Sequence, residues 1–153
     1  CLGELVYSAS NDFTIGEWHR STLEPTNRIL GEHMNQVRCL CVCAGYLVSG
    51  GDDNVIRVWE VGATIRTMCF PRNDSVLALT SVPKSQDFIS QRTEGEAMDT
   101  LWAGDNQGDL SVYDLQQSSC VASIQGHTGA IINLLHRQGL LFSSSVDKTV
   151  KVW

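Results

Sequence analysis

A histidine, a serine, an aspartate and a tryptophan recur in this chain at fixed offsets. His33, Ser49, Asp53 and Trp59 are spaced 16, 4 and 6, and His127, Ser143, Asp147 and Trp153 are spaced 16, 4 and 6 again. Ser8, Asp12 and Trp18 repeat the last two offsets near the start. Ser, His and Asp can together perform acyl transfer, with Ser as nucleophile, His as base and Asp as orienter. That chemistry needs one triad per active site, its serine exposed beside an oxyanion site. Here the set recurs, and its serine falls inside an apolar run. Repetition argues for scaffolding rather than catalysis.

The elements that carry these residues are themselves repeated. A fourteen-residue phrase occurs at 5–18, 46–59, 100–113 and 140–153. Its closing aromatics at 18, 59, 113 and 153 give steps of 41, 54 and 40. A period near 40 marks a repeat architecture. Each phrase reads as two strands around a tight turn, with Asn11-Asp12, Asp52-Asp53-Asn54 and Asn106-Gln107-Gly108 supplying turn chemistry. Two further short strands lie between phrases, at 27–30 and 37–42, 64–69 and 75–81, and 120–124 and 130–135. No strong helical period is present. The unit is four short antiparallel strands, and the chain holds about fourteen strands.

At this point the chain resembles the WD-repeat family of β-propellers. Gly126-His127, Ser143-Ser144-Ser145-Val146-Asp147 and Trp153 follow the family pattern closely. Leu30-Gly31-Glu32-His33 follows it with Glu32 in a glycine place, Glu60 stands where Asp often follows the Trp, and Tyr113-Asp114 keeps the Asp but changes the aromatic. The resemblance implies an all-β fold, a partial β-propeller of four-stranded antiparallel blades. Residues 1–153 form part of one propeller domain, with blade segments 1–31, 33–70, 74–125 and 126–153. That is about three and a half blades of a larger ring. Because the first unit starts halfway and the chain begins at Cys1, the reading expects a segment of a longer chain that supplies the remaining blades.

The resemblance also implies a role for the recurring set. Asp accepts from the His ring, His meets the Ser hydroxyl, and Ser reaches the Trp indole N–H, so each buried polar group finds a partner. The third unit departs, with Ala103, Gln107 and Tyr113 in the Ser, Asp and Trp places and Asp87 in the nominal His place. A softer third blade is expected. That unit also holds an insertion at residues 82–99, a polar stretch in which Phe88, Ile89 and Arg92 are candidate partner contacts. The alternative is a tolerated surface loop.

In the family, the His-bearing loops and central turns surround the channel mouth where partners dock. By position the candidates are Asn35, Gln36, Arg38 and Asp52 in one unit, Asn11 and Asn106 in two others, and Thr128 in the last. Each could equally be an ordinary solvated turn residue. His19 and His136 match no place in the pattern and read as surface residues; Trp102 reads as packing between blades.

Composition bounds the rest. An apolar fraction of 42% with 18% charged residues excludes a disordered chain. A net charge of −6 and pI near 5.0 argue against a mainly electrostatic nucleic-acid binder, leaving only a local patch at Arg38, Arg57 and Lys151. Cys39, Cys41 and Cys43 alternate along one strand, so their thiols share a face. They read as small buried hydrophobes rather than a zinc site or a disulfide framework. No phosphate-cradling loop, nucleophile elbow or convincing metal pair occurs, so no cofactor and no catalytic residue is assigned. The expected function is a non-catalytic protein–protein interaction scaffold. The alternative is a substrate-recognition or regulatory propeller of a multidomain enzyme such as a kinase or ubiquitin ligase. Unpaired thiols and no visible secretory signal suggest an intracellular site, cytoplasmic or nuclear.

Overall fold

The structure is a computed structural model that describes residues 2–60, 68–71, 73–83 and 99–153. Fourteen strands occur among the described residues, in four antiparallel sheets ordered strictly along the chain. The first sheet holds β1 (Leu5–Ala9), β2 (Ile15–His19) and β3 (Pro25–Leu30). The second holds β4 (Val37–Cys43), β5 (Tyr46–Gly51), β6 (Val55–Trp59) and β7 (Met68–Pro71). The third holds β8 (Val76–Val82), β9 (Thr100–Asp105), β10 (Asp109–Asp114) and β11 (Ser119–Gln125). The fourth holds β12 (Ile131–Arg137), β13 (Leu140–Ser145) and β14 (Val150–Val152). No helix of the described residues is long and apolar enough to cross a membrane.

Three apolar clusters lie between successive sheets. Ile15 and Leu30 of the first sheet meet Val37, Leu47 and Trp59 of the second. Val48, Ile56 and Val58 of the second meet Val76, Leu79, Leu101 and Ala103 of the third. Trp102, Leu110 and Val112 of the third meet Ile131, Leu134 and Leu141 of the fourth. Each sheet thus presents one alternating set of side chains backwards and the other forwards, as the two-residue period of a strand requires. Val48, Ile56 and Val58 occupy the same places as Trp102, Leu110 and Val112, and as Phe142, Val150 and Val152 in the last sheet. There no described residue covers the forward set: Val150 is 67% exposed and Val152 56%. The stacked sheets form an arc of a propeller, open at both ends.

The inner strands share a further device. The register of β4, β8 and β12 shifts near its start, between Val37 and Cys39, Val76 and Ala78, and Ile131 and Asn133. A bulge at the same point in each unit twists the strand as it leaves its loop and ends regular pairing there. Close approach between units depends on absent side chains. A Cβ on Gly104 would lie 2.6 Å from Ile131 of the next sheet, and one on Gly50 2.5 Å from Val76.

The third sheet keeps a packed interior without the recurring set: Leu101, Trp102, Ala103, Leu110, Val112 and Tyr113 are all buried. Its turn is held differently, with Asp105 Oδ1 accepting from the amides of Gln107 (3.0 Å) and Asp109 (2.9 Å). The Gln107 amide nitrogen donates to Asp74 at 2.6 Å. His136 is half-buried rather than on the surface, and its Nε2 is buried without a hydrogen-bond partner. His19 is exposed as read, and Trp102 is fully buried between sheets. Asp87, Phe88, Ile89 and Arg92 lie outside the described residues.

Candidate functional site

The recurring side chains come together in the second and fourth sheets. Trp59 Nε1 donates to Ser49 Oγ at 2.8 Å, Ser49 lies 2.7 Å from His33 Nε2, and His33 Nδ1 lies 2.9 Å from Asp53 Oδ2. In the fourth sheet the matching distances are 3.0, 2.7 and 2.8 Å, through Trp153, Ser143, His127 and Asp147. One proton arrangement satisfies every member. The indole N–H donates to the serine oxygen, the serine hydroxyl to Nε2, and Nδ1–H to the carboxylate, with a neutral ring. Ser49, Ser143, His33 and His127 are all buried, so neither serine faces a site where substrate could sit. The arrangement is a structural tie between a loop, two strands and a turn.

Each tie fixes a loop as well as a side chain. The amides of Met34 and Thr128 donate to the same carboxylate oxygens as their neighbouring histidines, at 3.1 and 3.2 Å. Two cations complete the grip, and sequence reasoning missed them. Arg57 donates to Asp53 at 3.0 Å and to the carbonyl of Glu32 at 2.8 Å; Lys151 Nζ donates to the carbonyl of Gly126 at 2.5 Å. Both lie two residues before the closing Trp, so the shared offset was a usable signal. Of the three basic residues Arg38, Arg57 and Lys151, Arg57 is buried, Arg38 is paired with Asp52 at 2.8 Å, and Lys151 stays exposed beside its carbonyl partner.

Burial holds His33 below the usual histidine range, outweighing the opposing hydrogen bond and charge of Asp53. Burial pushes Asp53 up, but the Met34 amide, His33 and Arg57 together bring it below its ordinary value. Both shifts mean that the unfolded chain takes up protons the folded one refuses. Stability is therefore full above the unfolded histidine value of 6.5 and declines as pH falls through the lower folded value. The Asp53 share is full above 3.8 and is lost at still lower pH. We expect the urea midpoint to drop between pH 7.5 and 5, and less so in His33→Gln; equal midpoints across that range contradict the neutral-ring relay.

The first sheet has half of the same device. Trp18 Nε1 donates to Ser8 Oγ at 2.8 Å, and Asp12 Oδ1 accepts from Thr14 Oγ1 at 2.6 Å. No histidine reaches either group among the described residues. The first sheet adds a polar knot that the sequence did not reveal. Buried Glu17 accepts from the Tyr7 hydroxyl at 2.9 Å and the Thr26 hydroxyl at 2.8 Å.

The remaining candidates sit on one rim. Val37 N donates to Ser10 O, Asp52 N to Gln36 O, Asn106 N to Ser75 O and Val146 N to Ala130 O. These bonds lash the central turns to the loops entering the inner strands, placing Asn11, Asn35, Gln36, Arg38, Asp52, Asn106 and Thr128 at the same end of the sheets. Asn11, Asn35, Arg38, Asn106 and Thr128 are exposed there, while Gln36 and Asp52 are half-buried. Met34, which the sequence reading passed over, stands 81% exposed in their midst. On β4, burial pushes the Cys39 thiol up to about 12 and the Cys43 thiol up to about 11. Both thiols are free, and no group of metal-ligating side chains occurs among the described residues.

Comparison with known proteins agrees with this architecture. Residues 25–60 and 118–153 match the family model described as WD domain, G-beta repeat. Each matched stretch is a WD repeat, and the stacked antiparallel sheets have the β-propeller architecture. It is 26% identical over 98% of its length to kinesin-like protein KIF21B of Homo sapiens, covering 9% of that protein. It is 27% identical over 99% of its length to mitochondrial division protein 1 of Mycosarcoma maydis, covering 19%. It is 29% identical over 78% of its length to F-box/WD repeat-containing protein 9 of Bos taurus, covering 24%. The chain therefore spans less than a quarter of the length of each. Among solved structures, the computationally designed Ika4 protein aligns with TM-score 0.75 at 22% identity, over 98% of this chain and 84% of that one. U3-55K aligns with TM-score 0.77 at 22% identity, over 98% and 45%.

Proposed function

We propose that this chain is a non-catalytic scaffold whose partner-binding surface is the rim built by the His-bearing loops and central turns. The observation that carries the reading is the bonding that ties that rim down. Exposed Met34 stands on a loop and exposed Arg38 at the start of β4, held by the relay, by the bond from Arg57 to Glu32 O and by the backbone bonds from Val37 to Ser10 and from Asp52 to Gln36. A preorganised surface loses little conformational freedom on binding, and an exposed apolar side chain beside a charged pair suits a protein partner. Both relay serines are spent on hydrogen bonds inside the sheets, which supports a role without chemistry. Further blades from the same polypeptide cover the two open faces of the arc.

The test is a crosslinking capture comparing the chain with a Met34→Ala, Arg38→Ala double variant. The variant is expected to keep its melting temperature and lose captured protein by tenfold or more. Equal capture by both forms overturns the rim reading. The small share of its relatives that this chain spans also supports a second reading, a recognition module within a larger enzyme.

A further inference from the structure

One turn place on the rim is filled in an unusual way. Phe13, Asn54, Gly108 and Lys148 each follow the residue at the relay carboxylate place, and all four adopt left-handed backbone, with φ of 75°, 61°, 93° and 68°. Glycine and asparagine take that conformation readily, whereas a bulky aromatic residue takes it at a cost. Packing into the core does not offset that cost. Phe13 belongs to none of the three apolar clusters and is 43% exposed. Backbone strain without a packing reason points to function.

The same place abuts the loop of the following unit. In the third sheet Gly108 O accepts the amides of Gly126 and His127 at 3.1 and 2.9 Å, and a Cβ on Gly108 would collide with the carbonyl oxygens of His127 and Gly129. The first sheet repeats the approach. Ser10 O accepts the amide of Val37 at 3.2 Å, and Thr14 Cγ2 lies 3.8 Å from the place of a Cβ on Gly31. Phe13 therefore stands beside the loop that carries Met34. Met34, Asn73 and Thr128 each lie three residues ahead of an inner strand, so the three seams can be compared directly. The second seam sets Asn54 with Asn73 and the third sets Gly108 with Thr128, but the first sets Phe13 with Met34, which is 81% exposed. An aromatic ring and a thioether thus lie open at a seam whose counterparts are polar or bare.

Charge selects the occupant. Glu32 is exposed in the Met34 loop, and the chain as a whole carries −6. Arg38 and Arg57 are the cations of residues 10–14, 31–38 and 52–57. The first is engaged by Asp52, and the second by Asp53 and Glu32 O. An acidic partner would meet no open cation in these segments, whereas a basic one meets a carboxylate and an aromatic face. We propose that Phe13 and Met34 seat an extended basic peptide of a protein partner. One aliphatic side chain of the peptide packs against the ring and the thioether, and an adjacent Lys or Arg meets Glu32 and the ring face. This deepens the scaffold reading and rests on it, because it gives the rim one seam and one partner chemistry. The seams with Asn54 and Asn73, and with Gly108 and Thr128, do not bind such a segment.

A phage-displayed library of random dodecapeptides supplies the probe, panned on the chain, and the most enriched peptide is then synthesised and titrated calorimetrically. Enriched sequences are expected to pair an aliphatic residue with Lys or Arg. Phe13→Asn installs the residue of the second unit at the same place and suits left-handed backbone, so its melting temperature should equal or exceed that of the unaltered chain. Its affinity for the peptide should fall about tenfold or more, the loss of one anchoring side chain. Met34→Ala, at an exposed position, should weaken binding similarly, and Lys148→Asn, at the same turn place in the fourth sheet, should leave it unaltered. No enrichment, an acidic or wholly polar consensus, or affinity indifferent to Phe13→Asn overturns the proposal. So does a Phe13→Asn melt well below that of the unaltered chain, because the ring then serves packing. Affinity lost in Met34→Ala but kept in Phe13→Asn strikes the Phe13 seat and leaves the rim standing as the binding surface. Indifference to both Met34→Ala and Arg38→Ala strikes the two readings together.

Discussion

Asp53→Ala should destabilise the chain by about 3 kcal/mol, the cost of breaking a desolvated charge pair while its partner remains. The carboxylate of Asp53 is only 4% exposed and serves four donors: His33 Nδ1, the Met34 and Val55 amides and the Arg57 guanidinium. Removing it leaves buried Arg57 facing a neutral cavity and His33 without an acceptor. Asp147→Ala removes a similar set of hydrogen bonds but no cation, since Lys151 binds the carbonyl of Gly126 instead. The two variants are thus expected to rank, with Asp53→Ala well below Asp147→Ala in urea midpoint. Equal losses would show that Arg57 adds nothing, and no loss in either would remove the relay from the account of stability.

Trp102→Ala should cost about 3–5 kcal/mol, the range for deleting a large aromatic from a packed interior. Its side chain is fully buried, and it packs with Leu110 and Val112 of its own sheet against Ile131, Leu134 and Leu141 of the next. The cavity left behind lies between two sheets rather than within one. The variant should therefore loosen the fourth sheet selectively, with faster amide exchange in β12 and β13 than in β4 and β5. Trp18→Ala gives the contrast, because half-buried Trp18 lies on the open face of the first sheet and has less packing to lose. A Trp102→Ala melt no lower than that of Trp18→Ala would place the structural keystone elsewhere.

Much of this architecture was readable from spacing. The recurrence of Ser, Asp and Trp at offsets of 4 and 6 requires two strands and a turn of constant length, so unit and topology followed together. Strand edges moved by one or two residues, as at β12, where pairing starts at Ile131 and runs on to Arg137. What escaped the sequence was the fate of charged and polar side chains on alternating strands. Alternation put Lys151 on the face of Trp153 and Arg57 on that of Trp59, yet a cation two residues from a tryptophan reads as solvated until a neighbouring sheet covers it. Glu17 was hidden for the same reason. In the third unit two places of the lost relay are apolar, with Ala103 and Tyr113 buried where Ser and Trp stand elsewhere, while Asp105 takes over the turn. His136 lay outside every repeated offset, so nothing in the sequence marked its burial.

The row of thiols on β4 gives the molecule a built-in clock. Cys39, Cys41 and Cys43 all face the seam shared with the third sheet, and desolvation suppresses their thiolate forms, which are the species that alkylating reagents attack. Cys120, by contrast, is free on the exterior. Slow modification of the trio after rapid capture of Cys120 would therefore time how often neighbouring wedges breathe apart, a motion that equilibrium melts do not register.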